Sequence, residues 1–202
     1  MPGRRESNKA EKQARIREAA RALFTQHDFT ATTMRSIAQR AHVGLGTLFS
    51  YADDKRDLVF LVFNEELASL TERALAAPRA SMPVLEQLMA LFGPHYRQFA
   101  REPVLARLAL QELTFYSAGK QALAFQSIRE RLMRGLVALI DRAQRSGHLP
   151  LHPSATLIAR HVFFVYAGAL RAWIAREKPG AAAGLRELRS LLTITLTGLA
   201  PD

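Results

Sequence analysis

No stretch of this chain alternates apolar and polar residues over several positions between turn signals, so a sheet has almost nothing to form from. A half-buried strand repeats every second residue, whereas a helix repeats every 3.6. The second period is the one present. Ile16, Ala19, Ala20, Leu23 and Phe24 fall at i, i+3, i+4, i+7 and i+8, which is one apolar stripe along a helix. Met34, Ile37, Ala38 and Ala41 repeat the pattern. A sequence rich in Ala, Leu, Arg, Glu and Gln agrees with it, and the expected fold class is all-α.

Caps and breakers divide this helical chain. Asn8 with Glu11 resembles a capping box opening the first helix, which leaves residues 1–8 as an expected disordered arm. That helix ends near Gln26 to Asp28. Thr33 can cap a second helix, and Gly44 is the turn residue before a short third one holding Thr47, Leu48 and Tyr51. Asp54 can cap a fourth, with Asp57 in its first turn, running from Lys55 to about Ala76. Further helices are expected over Val84 to Arg101 (with a kink at Gly93-Pro94), Pro103 to Ser117, Gln121 to Arg145, Ser154 to Arg176 and Gly184 to Leu199. Gly147 to Pro153 reads as a loop and Pro179-Gly180 as a turn.

The balance of 28 Lys and Arg against 18 Asp and Glu, net +10, favours a polyanionic partner: nucleic acid, an anionic membrane surface or an acidic protein. Residues 1–56 carry eleven basic and six acidic groups, half of that excess in about a quarter of the chain. Cysteine is absent, which removes disulfides, thiolate metal sites and cysteine nucleophiles. Met1 to Lys12 offers no apolar run for a signal peptide. The longest apolar run, Val162 to Leu170, is well short of the roughly 20 residues that span a bilayer. The expectation is a soluble, cytoplasmic protein that does not enter a membrane.

Two short helices joined by a tight turn after a longer helix make a helix-turn-helix, whose second short helix enters the major groove. Residues 14–58 carry that arrangement: ARIREAARALF from Ala14, then Phe29, then TTMRSIAQRAHVGLGTLFSY from Thr32 to Tyr51, then Lys55 and Leu58. This resembles the head of the TetR family of transcription regulators. The resemblance implies a three-helix head with its arm over residues 1–55 and a body of about six helices over 56–202. It implies DNA contact at Thr33, Arg35, Gly44, Leu45, Thr47, Phe49, Ser50, Tyr51 and Lys55. Hydroxyls and Lys55 suit phosphate, Arg35 suits phosphate or a guanine edge, and Leu45 can touch only a thymine methyl. Val43 and Leu48 read as core. Leu45, Phe49 and Ala52 depart from the family's commonest residues, which leaves the operator sequence open. Arg4, Arg5 and Lys9 either reach phosphate or the minor groove or form a solvated tail.

A single small head makes few base contacts, whereas two on a dyad read a pseudo-palindrome, so a homodimer is expected. The resemblance implies pairing of the last two long helices, with Phe163, Tyr166, Ala167, Leu170, Leu188, Leu192 and Thr195 at the interface; the alternative is that these are ordinary core residues. It also implies a body pocket for a small hydrophobic effector. Phe63, Phe92, His95, Tyr96, Phe99, Gln111, Phe115, Phe125 and His161 are the candidate lining, with plain core packing as the alternative for each.

The function expected is a sequence-specific DNA-binding regulator, a repressor released from a double-stranded DNA operator by an apolar ligand, with no cofactor. An activator or a ligand-independent regulator is the alternative. An all-α enzyme would need a converging catalytic set, and no glycine-rich phosphate loop or nucleophile elbow is present. His148 and His152 have i, i+4 spacing, but Pro150 and Pro153 forbid the helix that would align them on a metal, so no metal or catalytic residue is expected. A basic protein that only coats membranes or proteins would not need Thr33, Gly44, Thr47, Tyr51 and Lys55 in this register.

Overall fold

The structure, a computed structural model, describes residues 4–27, 29–112 and 118–198. Phe115 and the ends expected at Ser117 and Leu199 lie outside them. The described residues hold nine helices and no strand: α1 (Arg4–Gln26), α2 (Met34–Arg40), α3 (Leu45–Tyr51), α4 (Lys55–Ala76), α5 (Val84–Arg101), α6 (Pro103–Glu112), α7 (Lys120–Arg145), α8 (Ala155–Ile174) and α9 (Ala181–Thr197). The one early boundary that differs is the first. Helix α1 already runs at Arg4, so Asn8 lies inside it and no disordered arm extends to residue 8. Nothing in Arg4 to Lys9 breaks a helix, and Glu6 in the first turn suits the helix dipole, so a capping motif further along does not have to mark the start.

The chain divides into two compact units, residues up to Glu66 with Leu108–Ser127, and Leu67–Arg107 with Ile128 onward. The first unit is built on the α1 stripe. Ile16, Ala19, Ala20, Leu23 and Phe24 are buried with Ile37 and Ala38 of α2, Leu48 of α3 and Leu58 of α4. Arg17 pairs with Glu65, and Arg21 with Glu66 at 2.9 Å, joining α1 to α4. Asp54 caps α4 as expected, its Oδ1 accepting from the Asp57 amide at 2.8 Å.

The second unit packs α5 against α8 and α9. Phe92 stacks on Tyr166 with centroids 4.2 Å apart, and Tyr96 lies 4.7 Å from Trp173. Gly184 of α9 sits where an added Cβ would come within 2.7 Å of the Trp173 ring and 2.8 Å of Tyr96, so only glycine lets these helices approach this closely. The carbonyls at the end of α8 are met by Arg107, whose Nε donates to the Ile174 carbonyl at 2.8 Å and whose Nη2 donates to that of Arg176 at 2.8 Å. Gln144 orders the following loop by donating to the Pro150 and Pro153 carbonyls at 2.6 and 2.8 Å. By length and composition α8 could cross a bilayer, which the shorter run Val162 to Leu170 did not suggest. Its Ile158, Val162, Tyr166, Leu170 and Trp173 are instead buried within the unit, as in the core helix of a globular protein.

Candidate nucleic-acid interface

Helix α2 opens on Thr33, whose hydroxyl accepts from the Ser36 amide at 3.1 Å while Ser36 Oγ accepts from the Thr33 amide at 3.1 Å. This reciprocal box fixes the start of a seven-residue helix that would be marginal alone. The end is closed as firmly. The His42 amide donates to the Gln39 carbonyl at 3.1 Å and the Val43 amide to the Ala38 carbonyl at 3.0 Å, the paired bonds of a Schellman motif. The left-handed residue of that motif is His42, at φ 53°, and not Gly44, which the sequence marks as the turn. Gly44 has φ −67° and caps α3 without a side-chain bond. Replacing His42 by Gly should relieve the left-handed strain and raise stability by roughly 0.5–1 kcal/mol. Denaturant melts that show no gain would mean that the histidine makes up for its strain elsewhere.

The turn leaves α3 with one buried and one open side. Leu48 and Tyr51 face the core; Leu45 (37% exposed), Gly46, Phe49 (44%) and Ser50 face solvent, and Thr47 is half-buried. A Cβ on Gly46 would meet nothing within 4 Å, and one on Gly44 only the Thr47 hydroxyl at 3.8 Å. Neither glycine is required by φ or by internal packing. Glycine inside a short helix costs about 0.5–1 kcal/mol relative to alanine. Gly46 therefore leaves the backbone of α3 uncovered on its solvent side. Thr33 and Arg35 are exposed at the start of α2.

Two expected contact residues turn inward. The Tyr51 hydroxyl donates to the Lys9 carbonyl at 3.2 Å, which uses its one hydrogen and ties α3 to α1. Lys55 Nζ donates to the Phe29 carbonyl at 2.5 Å and the Thr30 carbonyl at 3.3 Å, and lies 4.3 Å from the Phe29 ring centroid. An ammonium has three hydrogens, so one remains for a phosphate.

Residues without any local signal also meet α3. Lys120 Nζ donates to the Phe49 carbonyl at 3.0 Å and pairs with Asp53 at 2.6 Å; Gln121 Nε2 donates to the Tyr51 carbonyl at 2.9 Å. The bond from Lys120 holds the Asp53 carboxyl below its usual range. Some seventy residues separate Lys120 and Gln121 from these carbonyls, so no spacing rule could have found them.

The expected pocket residues are not all brought together. Phe92, His95 and Tyr96 are buried in the second unit with Tyr166, and Phe99 is buried in the same unit. Phe63 and Phe125 are buried in the first unit, with Phe125 5.3 Å from Phe60. Gln111 and His161 are exposed. His95 Nδ1 and the Tyr96 hydroxyl are buried without a hydrogen-bond partner, while His95 Nε2 lies 3.3 Å from the Thr71 hydroxyl.

Of the expected interface residues, Tyr166, Leu170, Leu188 and Leu192 are buried in the chain's own core, and Phe163, Ala167 and Thr195 are half-buried. The apolar side chains left open lie one step around the same helices. Leu157, His161, Phe164 and Gly168 are exposed on α8 at i, i+4, i+7 and i+11, with Ile194 exposed on α9. Leu157, His161, Leu191, Ile194 and Thr195 line one groove between the two helices.

The family model described as bacterial regulatory proteins, tetR family, matches residues 16–62. The chain is 29% identical over 133 residues to the uncharacterized HTH-type transcriptional regulator YhgD of Bacillus subtilis, a stretch covering 65% of this chain and 66% of that protein. It is 26% identical to the HTH-type transcriptional repressor KstR of Mycobacterium tuberculosis, over 83% of this chain and 73% of KstR. Among solved structures, Thermus thermophilus FadR, a transcriptional repressor in complex with lauroyl-CoA, superposes with a TM-score of 0.71 at 24% identity, covering 94% of this chain and 96% of that one. That likeness shows a shared fold.

Proposed function

The chain belongs to the TetR family and is a DNA-binding transcription regulator rather than an enzyme; from that premise we propose that it is a homodimeric repressor released from its operator by a small apolar ligand. The observation that carries the DNA-reading part is the open side of α3, where Leu45, Phe49 and Ser50 flank a glycine that nothing inside the chain requires. Leu45 and Phe49 offer apolar contact to thymine methyls, and Thr33, Arg35 and Thr47 offer donors to phosphate. Tyr51 acts through Lys9, whose carbonyl it holds.

Two such heads on a dyad read half-sites about one helical turn apart, ~34–36 Å, or slightly farther. Footprinting of the intergenic DNA beside the gene, with light scattering on the protein, tests this. A monomer at micromolar concentration together with a footprint lacking dyad symmetry would overturn it. A reporter whose output falls on deleting the gene would replace repressor by activator.

Lys55→Ala should lower thermal stability, because two carbonyls of the α1–α2 connection lose their donor. It should also reduce the slope of log affinity against log salt by about 1, the signature of one phosphate contact. A stability loss with an unchanged slope would confine Lys55 to holding the head together.

For the ligand, the buried polar atoms of His95 and Tyr96 support a mostly apolar molecule with one or two polar groups. FadR holds lauroyl-CoA, which makes acyl thioesters the first compounds to try, followed by other hydrophobic molecules and planar cations. Helix α4 is the proposed link, since Lys55 near its start and Leu67 further along belong to one unbroken helix. A typical coupling weakens operator binding some 5- to 150-fold. Compounds that raise the melting temperature yet all leave operator affinity unchanged would remove this part of the reading.

A further inference from the structure

We propose that Lys120 and Gln121, the first two residues of α7, are positioning residues for α3: they hold its C-terminal carbonyls and so set how Leu45, Phe49 and Ser50 are presented to DNA. The inference rests on the DNA-reading role proposed above for α3.

Helix α3 has seven residues, too few to be stable alone, and its N-cap Gly44 supplies no side chain. Its end must therefore be held from outside. The carbonyls of a last helical turn have no partner within the helix and favour a cation nearby. Lys120 Nζ meets the Phe49 carbonyl at 3.0 Å, and Gln121 Nε2 meets the Tyr51 carbonyl at 2.9 Å.

The debt runs both ways. The start of α7 has free amides, and the corner after α3 supplies carboxylates for them. Asp53 Oδ2 accepts from the Lys120 amide at 3.0 Å, and Asp57 Oδ1 accepts from those of Gln121 and Ala122 at 2.8 and 2.9 Å. Asp57 is fully buried, and its other oxygen accepts from the Asp53 amide at 3.0 Å. Asn64 Nδ2 donates to the Gln121 carbonyl and Oε1 at 2.9 and 3.0 Å, which fixes the amide with its nitrogen towards Tyr51. Two helix ends thus complete each other through side chains that the apolar core does not require. The Lys120 side chain is itself 51% exposed. A lysine kept only for solubility would not be bound by both a helix carbonyl and a carboxylate.

The test uses the full chain with Lys120→Met, which keeps the stem and removes the ammonium, Gln121→Leu as a second variant, and Lys120→Arg as the rescue. Affinity is measured for the intergenic fragment footprinted by the unmodified protein and for a scrambled duplex of equal length, across a salt series, alongside amide hydrogen exchange. Each of the first two variants should lose roughly 5- to 20-fold in affinity for the footprinted fragment, in the range of ordinary coupling effects. Preference over the scrambled duplex should fall, the salt slope should stay the same, exchange in α3 should rise, and Lys120→Arg should restore all of these. Unchanged affinity and exchange in both variants would overturn the proposal. So would a salt slope lower by about 1 with exchange in α3 unchanged, because Lys120 would then be a phosphate contact. If the unmodified protein prefers no DNA sequence, the functional reading fails; faster exchange in the variants would still establish the clamp on α3, and unchanged exchange would remove it too.

Discussion

Changing Phe164 and Ile194 together to glutamate is expected to convert a dimer into a monomer and to lower operator affinity by about 10²–10⁴-fold, the range lost when two linked sites bind singly. Phe164 is 65% exposed and Ile194 68% exposed, so in a single chain both new carboxylates stay in water and the fold should hardly respond. Across a dyad the same charges would be taken out of water beside their own symmetry copies, at a cost of several kcal/mol. The surrounding surface fits pairing. Leu157, His161, Phe164 and Gly168 form one stripe on α8, and a Cβ on Gly168 would meet nothing within 4 Å, which leaves room for a second helix. Exposed large apolar side chains gathered on one face, here Leu157, Phe164 and Ile194, mark an interaction surface. Sedimentation and operator titration are the measurements. A double variant that still sediments as a dimer, or a monomer that binds the full operator as tightly as before, would end this assignment.

The face proposed for pairing also shows where the sequence stops being readable. Helix α8 is apolar on more than one face, so periodicity announces a buried helix without saying which apolar face meets the chain's own α5 and which is left open. The resemblance put Tyr166 and Leu170 at a dimer interface with core packing as the alternative, and both pack inward in the chain. Elsewhere one face dominates and the pattern suffices. The α1 stripe from Ile16 to Phe24 is buried throughout, and Thr33 and Asp54 cap the helices they precede. Part of the open side of α3 was legible for the same reason, since Leu48 marks its core side. What local chemistry cannot announce is a bond across distant chain. Lys55 looks like a cation at an unfavourable helix start until the Phe29 and Thr30 carbonyls come beside it. The Tyr51 hydroxyl looks available until it meets Lys9. The turn at His42 was missed because Gly44, two residues on, is the residue type that ordinarily takes a left-handed conformation.

Acid should destabilise this protein well before its carboxylates titrate, and His95 should account for roughly 3 kcal/mol of the loss. The imidazole is 3% exposed, and burial lowers its pKa from 6.5 to about 4. The Leu91 and Phe92 carbonyls behind it act the other way, although neither reaches hydrogen-bond geometry with the unpartnered Nδ1. Its ring neighbour Tyr166 is raised above the usual phenol range by burial, so it stays neutral across this window. Above pH 6.5 neither folded nor unfolded chain protonates this ring, and the full stability is present. Between 6.5 and about 4 the unfolded chain takes up a proton that the folded chain refuses, so stability falls as pH falls. Below about 4 both forms hold the proton and the loss levels off. The other five histidines, His27, His42, His148, His152 and His161, are exposed, which leaves His95 as the group expected to dominate between pH 7.5 and 5. Urea titrations at those two values should show a drop of about 2 kcal/mol, the part of the window above pH 5. His95→Leu loses the Thr71 contact and should start from a different stability at pH 7.5, but its drop should nearly vanish. Parallel pH profiles for the two proteins would show that the ring is either solvated or already charged when folded. A polar ligand group that binds Nδ1 would then have no buried, neutral histidine to meet, and the place proposed for the effector would move away from α5.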